Sequence, residues 1–258
     1  MSGARVELRL DTRAQGCIAT LTVDNRAKLN TLDGALMREF IGAVEALGPR
    51  ADLRALVLAG AGDRAFIGGA NIPEMAALTP DSARDFITLV HKTCDCLRHL
   101  PVPVIARIDG YALGAGLEVA VSCDLRVAST RAKFGMPEVK VGIPSVVEAA
   151  LIPRLIGDGR ARELLMLGEI IDADTALRWG LVERVAAPEA LDAEVEKVVS
   201  ALLAAGPQAI RRQKALMQQW EKLPPDAAIQ AGIDAFARAY ESDEPKRMLS
   251  AFVKRKRD

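Results

Sequence analysis

A chain of 258 residues is long enough for one large α/β domain, or for one domain with a smaller appendage. Half of it is hydrophobic and 26% charged, as in ordinary globular proteins, and 34 basic side chains cancel 34 acidic ones. That balance offers no basic face to a nucleic acid, and no stretch reaches the roughly 18 unbroken apolar residues of a membrane span, so neither partner is expected.

The opening, MSGARVELRLDTR, has no apolar core of signal-peptide length, which sets the expected location as cytoplasmic. Strands are predicted at Val6–Leu10 and Cys17–Val23, with a turn near Gln15–Gly16. Asp33 stands where an N-cap belongs, and Leu36, Phe40, Val44 and Leu47 follow at helical spacing until Gly48–Pro49. Leu53–Ala59, LRALVLA, is apolar with little alternation, as in a strand covered on both faces. Thr79–Pro80–Asp81 opens a helix with a cap and a first-turn proline, and Phe86, Val90, Cys94 and Leu97 mark its buried stripe. His91 and His99 lie on that helix, but not at the i, i+4 spacing that clamps zinc; no metal is expected. Cys17, Cys94, Cys96 and Cys123 are expected to be reduced structural thiols.

Further on, strands are predicted at Val104–Ile108 and Leu125–Ala128, with a short apolar helix from about Ala115 to Val121 between them. Strand, helix and strand recur as far as Val182–Val185, which argues for stacked βα units with mainly parallel strands. Beyond Glu189 only helices are expected, separated by Gly206–Pro207, Pro224–Pro225 and Asp243–Glu244–Pro245. Their apolar faces (Ala209, Leu216 and Trp220; Ile233, Ala237 and Tyr240) need a core of their own or another subunit.

Two glycine-centred loops carry the chemical signal. In Arg64–Met75, Gly68, Gly69 and Ala70 leave backbone N–H groups uncovered, and Asn71 and Pro73 suit a helix start whose dipole favours negative charge. The same residues serve a plain strand-to-helix connection equally well. In Ile108–Asp124, Gly114–Ala115–Gly116 opens a helix with Glu118 in its first turn. A carboxylate there complements the helix dipole, yet the helix is otherwise so apolar that it should be buried, and a buried carboxylate needs a partner or a purpose. Glu138, in KFGMPEVKVGIP, reads by itself as a solvated loop residue. The chain has no G-x-S-x-G elbow, no P-loop, no H-E-x-x-H and no G-x-G-x-x-G.

Taken together, these loops resemble the paired signatures of the crotonase (enoyl-CoA hydratase/isomerase) family. Ala65–Phe66–Ile67–Gly68–Gly69–Ala70–Asn71–Ile72 is similar to its A-F-x-x-G-A-D-I segment. Asp109 through Asp124 is similar to N-G-x-A-x-G-G-G-x-E-L-A-x-x-C-D. Asn25 to Asn30 resembles the early N-R-P-x-x-x-N, Phe134–Glu138 the F-x-x-P-E loop, and Gly168–Glu169 with Ala176–Val182 the G-x-x-x-x-A-x-x-A-x-x-x-G-L-V stretch. The pieces occur in the family's order over nearly the whole chain.

The resemblance implies an α/β spiral of stacked ββα units over residues 1–190, holding an acyl-CoA site. It also implies a helical region over 191–258 that packs into trimers pairing as hexamers. It places an oxyanion hole on the backbone N–H groups of Ala70 and Ala115, where two fixed donors stabilise an enolate more than its parent thioester. It places the two acids of a hydratase on Glu118, which would deprotonate the attacking water, and Glu138, which would protonate the α-carbon. The adenine end of the coenzyme would lie against Ala70, Asn71, Ile72 and Pro73, with Lys28 and Arg64 as phosphate contacts, and Gly68 and Ala115 complete the implied coenzyme-binding residues. Coenzyme A enters as part of the substrate, and no separate cofactor is implied.

The implied reaction is syn hydration of a 2-enoyl-CoA. Alternatives are another enolate reaction of the same family (Δ3–Δ2 isomerisation, or acyl-CoA cleavage or decarboxylation) and a non-catalytic acyl-CoA-binding or RNA-associated role. The chain departs from the family at Asn71 and Ala115, and more seriously after Glu138, where hydratases carry P-G-A-G-G-T-Q-R-L. Here Ser145 and Glu148 either add polar groups at the acyl end or form a capping box as N-cap and N3; the capping box is the expectation. The terminal Lys254–Arg255–Lys256–Arg257 run reads as a solvated tail, with a phosphate contact as its other use.

Overall fold

The computed structural model describes residues 3–255. Strands β1 (Arg5–Arg13) and β2 (Gly16–Asp24) form an antiparallel hairpin. After α1 (Gly34–Glu45), capped by the Asp33 side chain on the Leu36 amide, β3 (Leu53–Gly60) pairs parallel with β2. From there the chain repeats one pattern: a strand in a large sheet, a short strand in a smaller sheet, then helix. β3 is followed by β4 (Ala65–Ile67), α2 (Ile72–Ala76) and α3 (Pro80–His99); β5 (Val104–Ile108) by β6 (Tyr111–Leu113) and α4 (Ala115–Ser122). β7 (Leu125–Ser129) and β8 (Lys133–Gly135) lead through α5 (Ile152–Ile156) and α6 (Asp158–Leu167) to β9 (Ile170–Asp172), α7 (Ala173–Trp179) and β10 (Arg184–Ala186).

The large sheet runs β1-β2-β3-β5-β7-β10 and the small one β4-β6-β8-β9. Only the β1/β2 and β8/β9 pairs are antiparallel. This is the expected spiral of ββα units. The three-residue strands of the small sheet escaped sequence reading, since three residues are too few to show alternation.

One face of the large sheet meets α1, α3, α4 and the small sheet around Phe40, Leu56, Phe66 and Phe134. Its other face, through Ile18, Ala55, Val57, Ile105 and Val127, packs against Leu191, Val195, Val198, Val199 and Leu203 of α8 (Leu191–Ala204). β3 is therefore covered on both sides, which is why LRALVLA does not alternate. Helix 191–204 thus lies on the sheet itself. The helices after it, α9 (Pro207–Trp220), α10 (Pro225–Ala239) and α11 (Glu244–Arg255), leave Ile229, Ile233, Phe236 and Phe252 more than half exposed. Lys254 and Arg255 end α11, while Lys256 and Arg257 of the basic run lie outside the described residues. No described helix is long and apolar enough to cross a membrane.

Candidate active site

The first glycine loop is held from behind by the segment Asn25–Asn30. Leu29 and Asn30 both adopt left-handed backbone, with φ 55°. That turn presents the Leu29 carbonyl to the Gly68 amide at 2.8 Å and aims the Asn30 amide group at the carbonyls of Ala65 (2.7 Å) and Ala61 (3.0 Å). A Cβ at Gly68 would stand 2.8 Å from the Leu29 oxygen, so the approach demands glycine. Leu32 pairs with the loop on both sides, donating to Gly69 O and accepting from Asn71 N. The Ala70 amide between them has no acceptor among the described residues. Asn71, where the family has Asp, caps α2 by accepting from Glu74 N.

The second loop touches the first. A Cβ at Gly116 would fall 1.9 Å from the Ile67 carbonyl oxygen, and one at Gly69 would fall 3.2 Å from Leu113 O. Ala115 is the first residue of α4, so its N–H is one of the orphan donors of a helix start. Ala70 and Ala115 line one cavity of about 540 Å³ together with Glu118 and Glu138. The rest of that wall is mainly apolar, with Met75, Leu78, Phe86, Val90 and Val146.

The two acids sit in unlike surroundings. Every residue of α4 is buried, and Glu118 is only 4% exposed. Burial, then the nearby Glu138 and then Glu148, push its carboxyl up to about 8, against a single opposing backbone donor, Ala149. Glu138 rides on a 3-10 turn, Pro137–Val141, half-buried, and its Oε2 accepts from Ser145 Oγ at 2.8 Å. Its Oε1 occupies the space beside Gly114, where a Cβ would lie 2.5 Å away. Gly114 is thus required twice, for that room and for its φ of +52°.

The capping box expected at Ser145–Glu148 does not form. Val146 is extended, Val147 is left-handed with φ 41°, and the short 3-10 turn over Val147–Leu151 has no side-chain cap. A capping box needs helical backbone at the residues that follow the N-cap, and Val146 and Val147 do not supply it. The left-handed step instead turns Ser145 to Glu138 and throws Glu148 inward, where its Oε1 meets His91 Nδ1 at 2.7 Å. Neither residue is among those that line the cavity: Ser145 bonds one of its acids, and Glu148 bonds His91. The last contact is not foreseen from the sequence, where only a metal-ligand role is weighed for His91. Its place next to Val90 on the buried stripe was the one available hint.

Lys28 and Arg64 are exposed and stand apart from the acid-lined cavity; Arg64 borders a separate small recess with Arg26 and Gly62. Ile72 and Pro73 are exposed on the first turn of α2.

A sequence profile of the enoyl-CoA hydratase/isomerase family matches residues 13–258. The chain is 35% identical over 241 residues to a crotonyl-CoA hydratase of Syntrophomonas wolfei, covering 93% of each. It is 32% identical over 244 residues to a short-chain-enoyl-CoA hydratase of Clostridium acetobutylicum, covering 94% of each. Among solved structures, an enoyl-CoA hydratase of Mycobacterium smegmatis superposes with a TM-score of 0.91 at 31% identity, covering 96% of both chains. Paired loops that set Ala70 and Ala115 on one acid-lined cavity, with a family match along almost the full length, make this chain a member of the enoyl-CoA hydratase/isomerase family.

Proposed function

We propose that the protein adds water syn across the double bond of a 2-enoyl-CoA thioester. The observation that carries this reading is one cavity lined by two carboxylates and by two residues, Ala70 and Ala115, whose amides have no acceptor among the described residues. The thioester oxygen would accept from both amides, which act most strongly on the enolate formed as water adds. Glu118 would take a proton from that water while Glu138 gives one to the α-carbon, so the pair needs a single proton between them. In the free site that proton rests on Glu118, the more deeply buried acid. It would have to pass to Glu138 before Glu118 could act as base, and the cavity the two acids share would admit a water to carry it.

The coenzyme would run past Gly68, Ala70 and the start of α2 at Asn71, Ile72 and Pro73, with Lys28 and Arg64 turned to its phosphates from outside the acid cavity. No separate cofactor is invoked. The exposed apolar residues of α10 and α11 support trimers that pair as hexamers; the enzyme would be cytoplasmic, and its even charge favours no nucleic-acid partner.

Crotonyl-CoA incubated with the protein should lose its conjugated-thioester absorbance. Glu118→Gln and Glu138→Gln should each slow that loss by about 10²–10⁴-fold. An inert wild type that instead turns over a 3-enoyl-CoA would make it an isomerase.

A further inference from the structure

The strangest charge in the molecule is Glu148. Its residue is 7% exposed, Oε1 is bonded to His91, and Oε2 is buried with no hydrogen-bond partner. An unpaired buried carboxylate oxygen is costly, and the turn that carries it is strained as well, because a β-branched residue seldom adopts the φ of 41° seen at Val147. Two unfavourable features at neighbouring residues beside an active site point to a task.

The setting of Glu148 identifies the task. From α4 it faces Glu118, and from α3 it faces His91 and the Cys94 thiol. Arg154, the one charged residue of α5, is turned outward to Glu221. Lys92 and Asp95 of α3 border a different cleft, with Val44 and Glu45 of α1. Around Glu118, Glu138 lies across the cavity and the exposed Arg84 of α3 lines it too, while β4 brings no titratable group and Tyr111 of β6 is partly exposed. Among the described residues no cation pairs with Glu148 except His91 when protonated, so no fixed positive charge offsets its effect on Glu118.

We propose that Glu148, held by His91, is a positioning residue for the hydration: its fixed negative charge behind Glu118 keeps one proton on the Glu118–Glu138 pair. This rests on the hydratase reading and adds a third acid to it. His91, whose side chain is 48% exposed, supplies the hydrogen bond that holds Glu148 in its buried place.

The test follows the proton itself, without turnover. In the free enzyme, the infrared carbonyl band of a protonated carboxyl that disappears in Glu118→Gln is titrated against pH. Its midpoint should fall by about half a pH unit or more in Glu148→Gln, since a like charge has gone. His91→Leu should lower it in the same sense, because Glu148 loses the bond that holds its charge near Glu118; His91→Gln, which keeps a donor, should leave it near wild type. His91 is half exposed, so these variants serve even where Glu148→Gln folds poorly. An unmoved midpoint in folded Glu148→Gln or His91→Leu overturns the proposal, since a merely structural role changes stability and not this titration. Failure of the wild type to hydrate any 2-enoyl-CoA would instead sink the hydratase reading, and the titration would still judge Glu148.

Discussion

The two ends of α4 both bury charge, and they treat it in opposite ways. Past its C-terminal end, Lys214 of α9 reaches into the core and donates to Leu97 O (3.0 Å), Val102 O (3.0 Å) and Asp124 Oδ2 (2.7 Å). All three ammonium protons are used, and Asp124 also accepts from Val104 N. Burial lowers the lysine's proton affinity, and Asp124 opposes it. At the N-terminal end, Glu118 has one backbone donor and two like charges as neighbours, and its proton affinity climbs. A buried charge with every valence met ties elements together, here α9 to α3, β5 and β7. A buried charge left short of partners is available for proton chemistry.

The sharpest way to break this comparison is to remove each charge and ask what is lost. Lys214→Met should lower unfolding free energy by about 2–4 kcal/mol in urea titration while leaving kcat intact; Asp124 is a third exposed, which moderates the effect. Glu118→Gln should do the reverse. Because folding raises this carboxyl from 4.5 to about 8, the native state binds more protons than the unfolded chain between those limits. Wild-type stability therefore declines as pH rises through that window, and the glutamine variant should gain on it by about 1–3 kcal/mol at pH 9 relative to pH 4. Equal melting curves at both pH values would show that Glu118 is as well satisfied as Lys214. The smallest effect belongs to Ser145→Ala, which removes the donor from Glu138: a fall in kcat of roughly 3- to 10-fold, about 1 kcal/mol, with KM little changed.

Much of the fold was legible because long elements carry their own periodicity. Asp33 and Thr79 cap the helices they were expected to cap, and β3 reads as doubly buried because α8 lies on its far side. The four-stranded sheet was not legible, since β4, β6, β8 and β9 are each too short to show a pattern. The loops that bring Ala70, Ala115 and Glu118 to the cavity stand out by their glycines and by an acid in an apolar helix. Glu138 alone reads as a solvated loop residue and enters only through the family resemblance. Ser145 and Glu148 were misread because their spacing fits a capping box, and one left-handed residue between them changed both partners. Nothing in the side chain of Val147 announces that step, as valine is among the residues least suited to it.

That step has a consequence of its own. A backbone conformation of this kind is disfavoured by about 1–3 kcal/mol, and a hydrogen bond to a charged group is worth about 1.5–3 kcal/mol. The kink at Val147 and the imidazole clasp at His91 are thus nearly matched opponents. Packing of Val147 against the core adds to the clasp, yet the inward setting of the third acid leans on a side chain far along the sequence, in a helix laid down before the kink is reached. Drift at position 91 would be felt as a change in the shape of a loop more than fifty residues away.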